Sequence, residues 1–122
     1  MTIHYDLLWS AADAAGRKAA AEAVCTPMVV GEVDPRTGIG RVIDIVEDGV
    51  CGFAYIKIRP ARGAFVNWLK ARNIGHKAYG GGYEISIHDY NQSMTRKSAH
   101  ARAAAEVLCR AGIEATSYSR LD

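Results

Sequence analysis

The sequence predicts a single α+β domain in which an antiparallel sheet carries its helices on one face. The length of 122 residues and a hydrophobic content of 49% suit one core. Residues 50–118 alternate strand-like and helix-like segments in the order strand, helix, strand, strand, helix, strand. This is the order of the split βαβ, or ferredoxin-like, two-layer sandwich. Residues 1–49 precede it as a smaller unit of strand, helix and hairpin.

The N-terminal unit begins with an alternating segment and a helix. Ile3, Tyr5 and Leu7 alternate with polar neighbours, which favours a short strand, with a helical lead-in as the alternative. Ser10 then caps an alanine-rich helix, which Pro27 ends. The β-branched runs MVVGEV and RVIDIV flank the turn sequence DPRTGIG and predict a hairpin.

The second unit opens with the clearest strand of the chain, VCGFAYIKI at residues 50–58. Phe65, Trp68 and Leu69 recur at helical spacing over residues 61–73, and Gly75 is expected to supply the left-handed residue after that helix. HKAY and YEISIH, at residues 76–79 and 83–88, form a hairpin across three glycines.

A long helix and a last strand complete the chain. Ser93 caps a helix that runs to about residue 111, and residues 113–118 form the strand. The inward face of this helix is predicted to consist of Met94, Ser98, Ala101, Ala105 and Leu108. A second partition is open, in which residues 2–88 form the sandwich and the last helix and strand are an appendage.

The composition indicates where in the cell the protein is expected and whether disulfides or metal sites are expected. No apolar run approaches the roughly 18 residues of a membrane span, and no basic leader precedes an apolar stretch, so membrane insertion and secretion are not expected. Cys25, Cys51 and Cys109 have no short spacing, which predicts neither disulfides nor a metal site. A cytoplasmic protein without a cofactor is expected.

Charge is distributed unevenly along the chain. Residues 1–56 carry four basic and eight acidic residues, whereas residues 57–122 carry eleven basic and five acidic residues. The second half is therefore the part expected to meet an anion.

The strand at residues 52–58, GFAYIKI, resembles the RNP1 signature of RNA recognition motifs. Strand alternation places Phe53, Tyr55 and Lys57 on one sheet face, where exposed rings could stack on bases. Glu84, on the same face, would repel phosphate. The competing expectation is that this face is buried, for example in a homodimer.

Further candidate contacts surround the junction before the last helix, where free N–H groups of a helix N-terminus favour anions. The full set predicted to bind RNA or single-stranded DNA is Phe53, Tyr55, Lys57, Arg59, Arg62, His88, Arg96, Lys97 and Arg102.

Catalytic patterns are weak. His88-Asp89 could orient an imidazole, but no sequence context places a cysteine beside a histidine. No catalytic residue is assigned, and binding is expected rather than catalysis.

Two runs, at residues 49–70 and 81–122, resemble small uncharacterised proteins of bacteriophages, prophages and other mobile elements. The resemblance implies a protein that binds either nucleic acid or a host defence protein, and the first hypothesis is a nucleic-acid-binding accessory protein. The first alternative is an inhibitor of a host defence complex, of the anti-CRISPR kind, in which exposed Trp68 and Tyr90 contact the host protein. The second is a small enzyme that acts on an anionic substrate near His88.

Overall fold

The computed structural model describes residues 4–23, 28–33, 40–46, 52–90 and 93–121. Three helices and six strands lie in these ranges. In chain order they are α1 (Tyr5–Glu22), β1 (Met28–Val33), β2 (Gly40–Val46), β3 (Gly52–Ile58), α2 (Ala64–Ala71), β4 (His76–Lys77), β5 (Tyr83–Ser86), α3 (Met94–Arg110) and β6 (Ala115–Leu121).

Four strands form one antiparallel sheet in the order β4-β5-β3-β6, and β1 pairs with β2 in a separate hairpin. The predicted α+β class, the antiparallel sheet and both hairpins are confirmed. β6 pairs with β3 along its whole length, from Gly52 opposite Leu121 to Ile58 opposite Ala115. The partition that left the last helix and strand as an appendage is therefore wrong.

The core lies between the sheet and the helices, because successive residues of a strand point to opposite faces. The buried residues of β3 are Ala54, Ile56 and Ile58. Those of β5 and the residue after it are Tyr83, Ile85 and Ile87. They pack against apolar side chains of α2 and α3: Phe65, Val66, Leu69, Ala101, Ala104, Ala105 and Leu108. Complete burial of an aliphatic side chain contributes roughly 1.5–3 kcal/mol, so this layer dominates stability.

α1 packs closely along α3 through small residues. Ala12, Gly16 and Ala20, spaced four residues apart, are all buried. A Cβ at Gly16 would lie only 2.5 Å from Cδ2 of His100, so this helix contact requires glycine. The alanine-rich sequence of α1 is thus explained by the short distance to α3.

The predicted N-terminal strand is wrong for Tyr5 and Leu7, which lie in the first turn of α1; Ile3 lies outside the described residues. Tyr5 and Trp9 both contact the Phe65 ring. Residues four apart lie on the same face of a helix, so both contacts require a helix at this segment. Ser10 is exposed inside the helix and does not cap it.

The cap of α2 differs in one detail from the prediction. Gly75 has the expected positive φ of 75°, but Asn73, with φ 57°, is the first left-handed residue after the C-cap Arg72. The N–H of Ile74 closes the turn on the carbonyl of Leu69.

The predicted cap of α3 is confirmed, because Ser93 accepts a hydrogen bond from the Arg96 backbone N–H at 3.3 Å. Its inward face is only partly as predicted: Ala101, Ala105 and Leu108 are buried, whereas Met94 and Ser98 are half-buried. Lys97, His100 and Ala104 are buried in addition. α3 contacts both the sheet and α1. Its buried face is therefore broader than that of a helix that packs against one element only.

Candidate functional site

The sheet face opposite the core presents polar and aromatic side chains, and we call it the open face. Phe53, Tyr55 and Lys57 of β3 are half-buried there, in alternation with fully buried neighbours. This confirms the alternation that the sequence predicted. All three described helices belong to the other side of the sheet, where the core lies.

The edge strand β6 adds a second row to the open face. Tyr118 lies directly opposite Tyr55, and Arg120 lies opposite Phe53, so each pair shares this face. Sequence analysis missed Tyr118 and Arg120. The available signal was the alternation Thr116, Tyr118, Arg120 in the last strand, which has the same period as β3.

These side chains stack in a continuous series that we call the aromatic ladder: Phe53, Arg120, Tyr55, Tyr118 and Lys57. The Arg120 guanidinium lies 5.3 Å from the Phe53 ring centroid and 5.8 Å from that of Tyr55. The Tyr55 and Tyr118 rings stack at 4.8 Å with an interplanar angle of 21°. Lys57 Nζ lies 5.2 Å from the Tyr118 centroid. Exposed cation–π contacts are each worth about 0.5–1 kcal/mol, so the ladder orders its own side chains.

Glu84 of β5 lies beside the ladder, opposite Lys57. Its Oε2 accepts a hydrogen bond from the Tyr118 hydroxyl and lies 3.9 Å from Lys57 Nζ. Partial burial, together with this hydrogen bond to Glu84, raises the pKa of Tyr118 to about 12. Lys57 offsets the carboxylate charge, which weakens the repulsion of phosphate that the sequence predicted for Glu84.

A depression of about 700 Å³ opens at this end of the face. Lys57, Glu84 and Tyr118 line it together with Arg59 and Lys77, whose side chains are exposed. Tyr79, at the tip of the β4–β5 hairpin, also lines it and is fully exposed to solvent. The rim is therefore basic and carries an aromatic ring that the sequence analysis did not single out.

Three of the predicted phosphate contacts lie away from the ladder. Arg62 lies in a groove with residues of α1 and α2, and exposed Arg102 lies in a groove between α1 and α3. Arg96 Nη1 donates to the carbonyl oxygen of Ala20 at 2.8 Å. These arginines belong to the helix side of the domain.

Lys97, another predicted phosphate contact, is buried in the structure and only 5% exposed. Its Nζ donates to the carbonyl oxygen of Gly52 at 3.4 Å and lies 5.7 Å from the Phe53 ring centroid. Lys97 therefore joins α3 to the start of β3 and supports the Phe53 end of the ladder. His88 is exposed, in a separate groove with Asn73 and His76.

The two predicted partner anchors are engaged inside the domain. Trp68 is half-buried, stacks on Phe65 at 6.0 Å and carries the Arg72 guanidinium 4.1 Å from its ring centroid. The Tyr90 hydroxyl lies 2.7 Å from His100 Nδ1. Neither side chain is the exposed anchor that was expected.

A second polar cluster joins α1 to the segment before α3. Arg17 binds Asp13 at 2.9 Å and Asp89 at 3.0 Å, and His100 Nε2 lies 3.6 Å from Asp13. Burial lowers the pKa of His100, which favours the neutral imidazole between Asp13 and Tyr90. The cluster fixes α1 to the β5–α3 connection.

Among the described residues no three His, Cys, Asp or Glu side chains converge on a metal site. Cys109 donates its S–H to the carbonyl of Ala115 at 2.9 Å, while Cys25 and Cys51 lie outside the described residues. No described helix has the length and apolar character of a membrane span.

No protein-family model matches the chain, and neither a curated protein nor a solved structure does.

Proposed function

We propose that the open face binds single-stranded RNA or DNA, and that the protein is a non-enzymatic accessory protein of the mobile-element type. The observation that carries the proposal is the aromatic ladder beside a basic depression. We also propose that β3, α2, β4, β5, α3 and β6 form a ferredoxin-like sandwich. The strand order β4-β5-β3-β6, with α2 and α3 as crossovers, supports this assignment.

Base stacking is the first physical reason. Unpaired bases stack on protein aromatics with about 1–3 kcal/mol per base, whatever their sequence. Tyr118 is 39% exposed, so part of its ring is open to solvent. Three rings share one face, as do the rings that stack two or three bases in RNA recognition motifs.

Electrostatics is the second reason. Arg120 is exposed within the ladder, and Arg59 and Lys77 are exposed beside it. The Glu84 carboxylate already faces Lys57. If these cations neutralise three phosphates of a single-stranded nucleic acid, the logarithm of the binding constant should fall with the logarithm of the salt concentration with a slope of roughly −2. Such a slope separates phosphate recognition from purely apolar association.

The experiment is fluorescence anisotropy with labelled eight-nucleotide RNA and DNA at low and moderate salt. We expect micromolar binding that Tyr118→Ala and Arg120→Gln each weaken about tenfold, which is 1.4 kcal/mol. Arg102→Gln is the matched control, because it removes an exposed guanidinium from the helix side. It should change the affinity by less than twofold.

Two outcomes would reject the proposal. One is no binding by the wild type at low salt, which would direct the search to a host protein by pull-down. The other is an equal loss for Arg120→Gln and Arg102→Gln, which would indicate unspecific charge attraction. Circular dichroism of each variant checks that the fold is retained.

A further inference from the structure

A carboxylate at the centre of a basic site is unfavourable for phosphate, so Glu84 needs an explanation of its own. Its side chain is 14% exposed and lines the depression beside Lys57 and Tyr118. It does not belong to the core, because it points to the face opposite Tyr83 and Ile85.

The two oxygens of Glu84 differ in their surroundings. Oε2 accepts the Tyr118 hydroxyl hydrogen and lies near Lys57 Nζ. In the part of the chain that the structure describes, the imidazole Nε2 of His76 lies 3.7 Å from Oε1. That distance is too long for a hydrogen bond, so Oε1 can still accept one. The Tyr118 and Lys57 contacts hold the carboxylate in place.

We propose that Glu84 selects bases that carry an exocyclic amino group, and so favours cytosine over uracil. This inference rests on the proposed function. A carboxylate accepts a hydrogen bond from cytosine N4, which is an established base contact. Uracil has a carbonyl oxygen at that position, and its one donor, N3–H, lies between two carbonyls that a carboxylate repels.

The test compares two ligands that differ only on one edge of the base, at position 4 and at N3. Eight-residue oligodeoxycytidine and oligodeoxyuridine are titrated at pH 8 by anisotropy, with their RNA counterparts in parallel. We expect a fivefold to tenfold preference of the wild type for cytidine. Glu84→Gln should abolish this preference, because an amide can both donate and accept, and should strengthen binding of the uridine oligomer.

Two further variants separate base selection from simple charge removal. Glu106→Gln removes an exposed carboxylate from α3 on the helix side and should keep the wild-type preference. Glu84→Asp keeps the charge but withdraws it from the depression, so the preference should fall. It also serves as the test if Glu84→Gln does not fold.

The results distinguish the two proposals. Equal wild-type affinity for both oligomers, or a preference that Glu84→Gln leaves unchanged, would overturn the role of Glu84 while the open face remains a binding site. Absence of wild-type binding to all oligomers would overturn the proposed function, and the base preference with it.

Discussion

Replacing Gly16 by alanine tests the close contact between α1 and α3. In an ordinary helix interior this change stabilises a protein by about 0.5–1 kcal/mol, since glycine has a less restricted unfolded chain. Here the new Cβ would lie 2.5, 2.7 and 2.7 Å from three atoms of the His100 ring. We therefore expect the opposite sign.

The magnitude follows from how little the imidazole can move. His100 is 4% exposed, and its Nδ1 is held by the Tyr90 hydroxyl at 2.7 Å. Overpacking at a rigid site costs about 1–3 kcal/mol. After the helical gain of about 0.5–1 kcal/mol is subtracted, Gly16→Ala should lower the free energy of unfolding by up to about 2.5 kcal/mol.

The assay is urea denaturation followed by circular dichroism, arranged as a double-mutant cycle with His100→Ala. In the His100→Ala background the ring is absent, so Gly16→Ala should be neutral or stabilising by up to about 1 kcal/mol. Stabilisation by Gly16→Ala in the wild-type background, or the same effect in both backgrounds, would refute the close contact.

Two predictions concern pH. The pKa of Tyr118 is raised to about 12, above its unfolded value of 10, so its stabilising contribution is present below pH 10 and lost between pH 10 and 12. The stability gap between wild type and Tyr118→Phe should narrow from pH 9 to pH 11.5 in urea denaturation; a constant gap would contradict the bond to Glu84. Burial lowers the pKa of His100 below 6.5, so its contribution is present above pH 6.5 and lost as the pH falls further. Between pH 7.5 and 5.5 the wild type should lose more stability than His100→Gln, and an equal loss would count against a buried neutral imidazole.

Local patterns made the centre of the site predictable. The alternation of Phe53, Tyr55 and Lys57 is a property of seven consecutive residues, and the structure keeps it. Tyr118 and Arg120 were missed because their place depends on the pairing of β6 with β3, about sixty residues away in sequence. Periodicity indicates which residues share a face of one strand, but does not give the register between two strands.

Helix periodicity failed where a helix has two packing partners. Lys97 and His100 look like residues of a solvated basic face, yet α1 and the start of β3 cover them. Helical spacing within α3 could not predict this burial, because it depends on how closely α1 packs. That packing depends on the small buried residues Ala12, Gly16 and Ala20 of α1. The same contact explains why the basic residues of α3 do not extend the open face.

The central claim is that the open face, and not the helix side, binds single-stranded nucleic acid. Titration of the ¹⁵N-labelled protein with an eight-residue oligonucleotide, followed by amide chemical shifts, tests it most directly. We predict that the shifts concentrate on β3 and β6, around Tyr55 and Tyr118, and on the β4–β5 hairpin at Tyr79. Shifts confined to α1 and α3 around Arg102, or no shifts at low salt, would contradict the account.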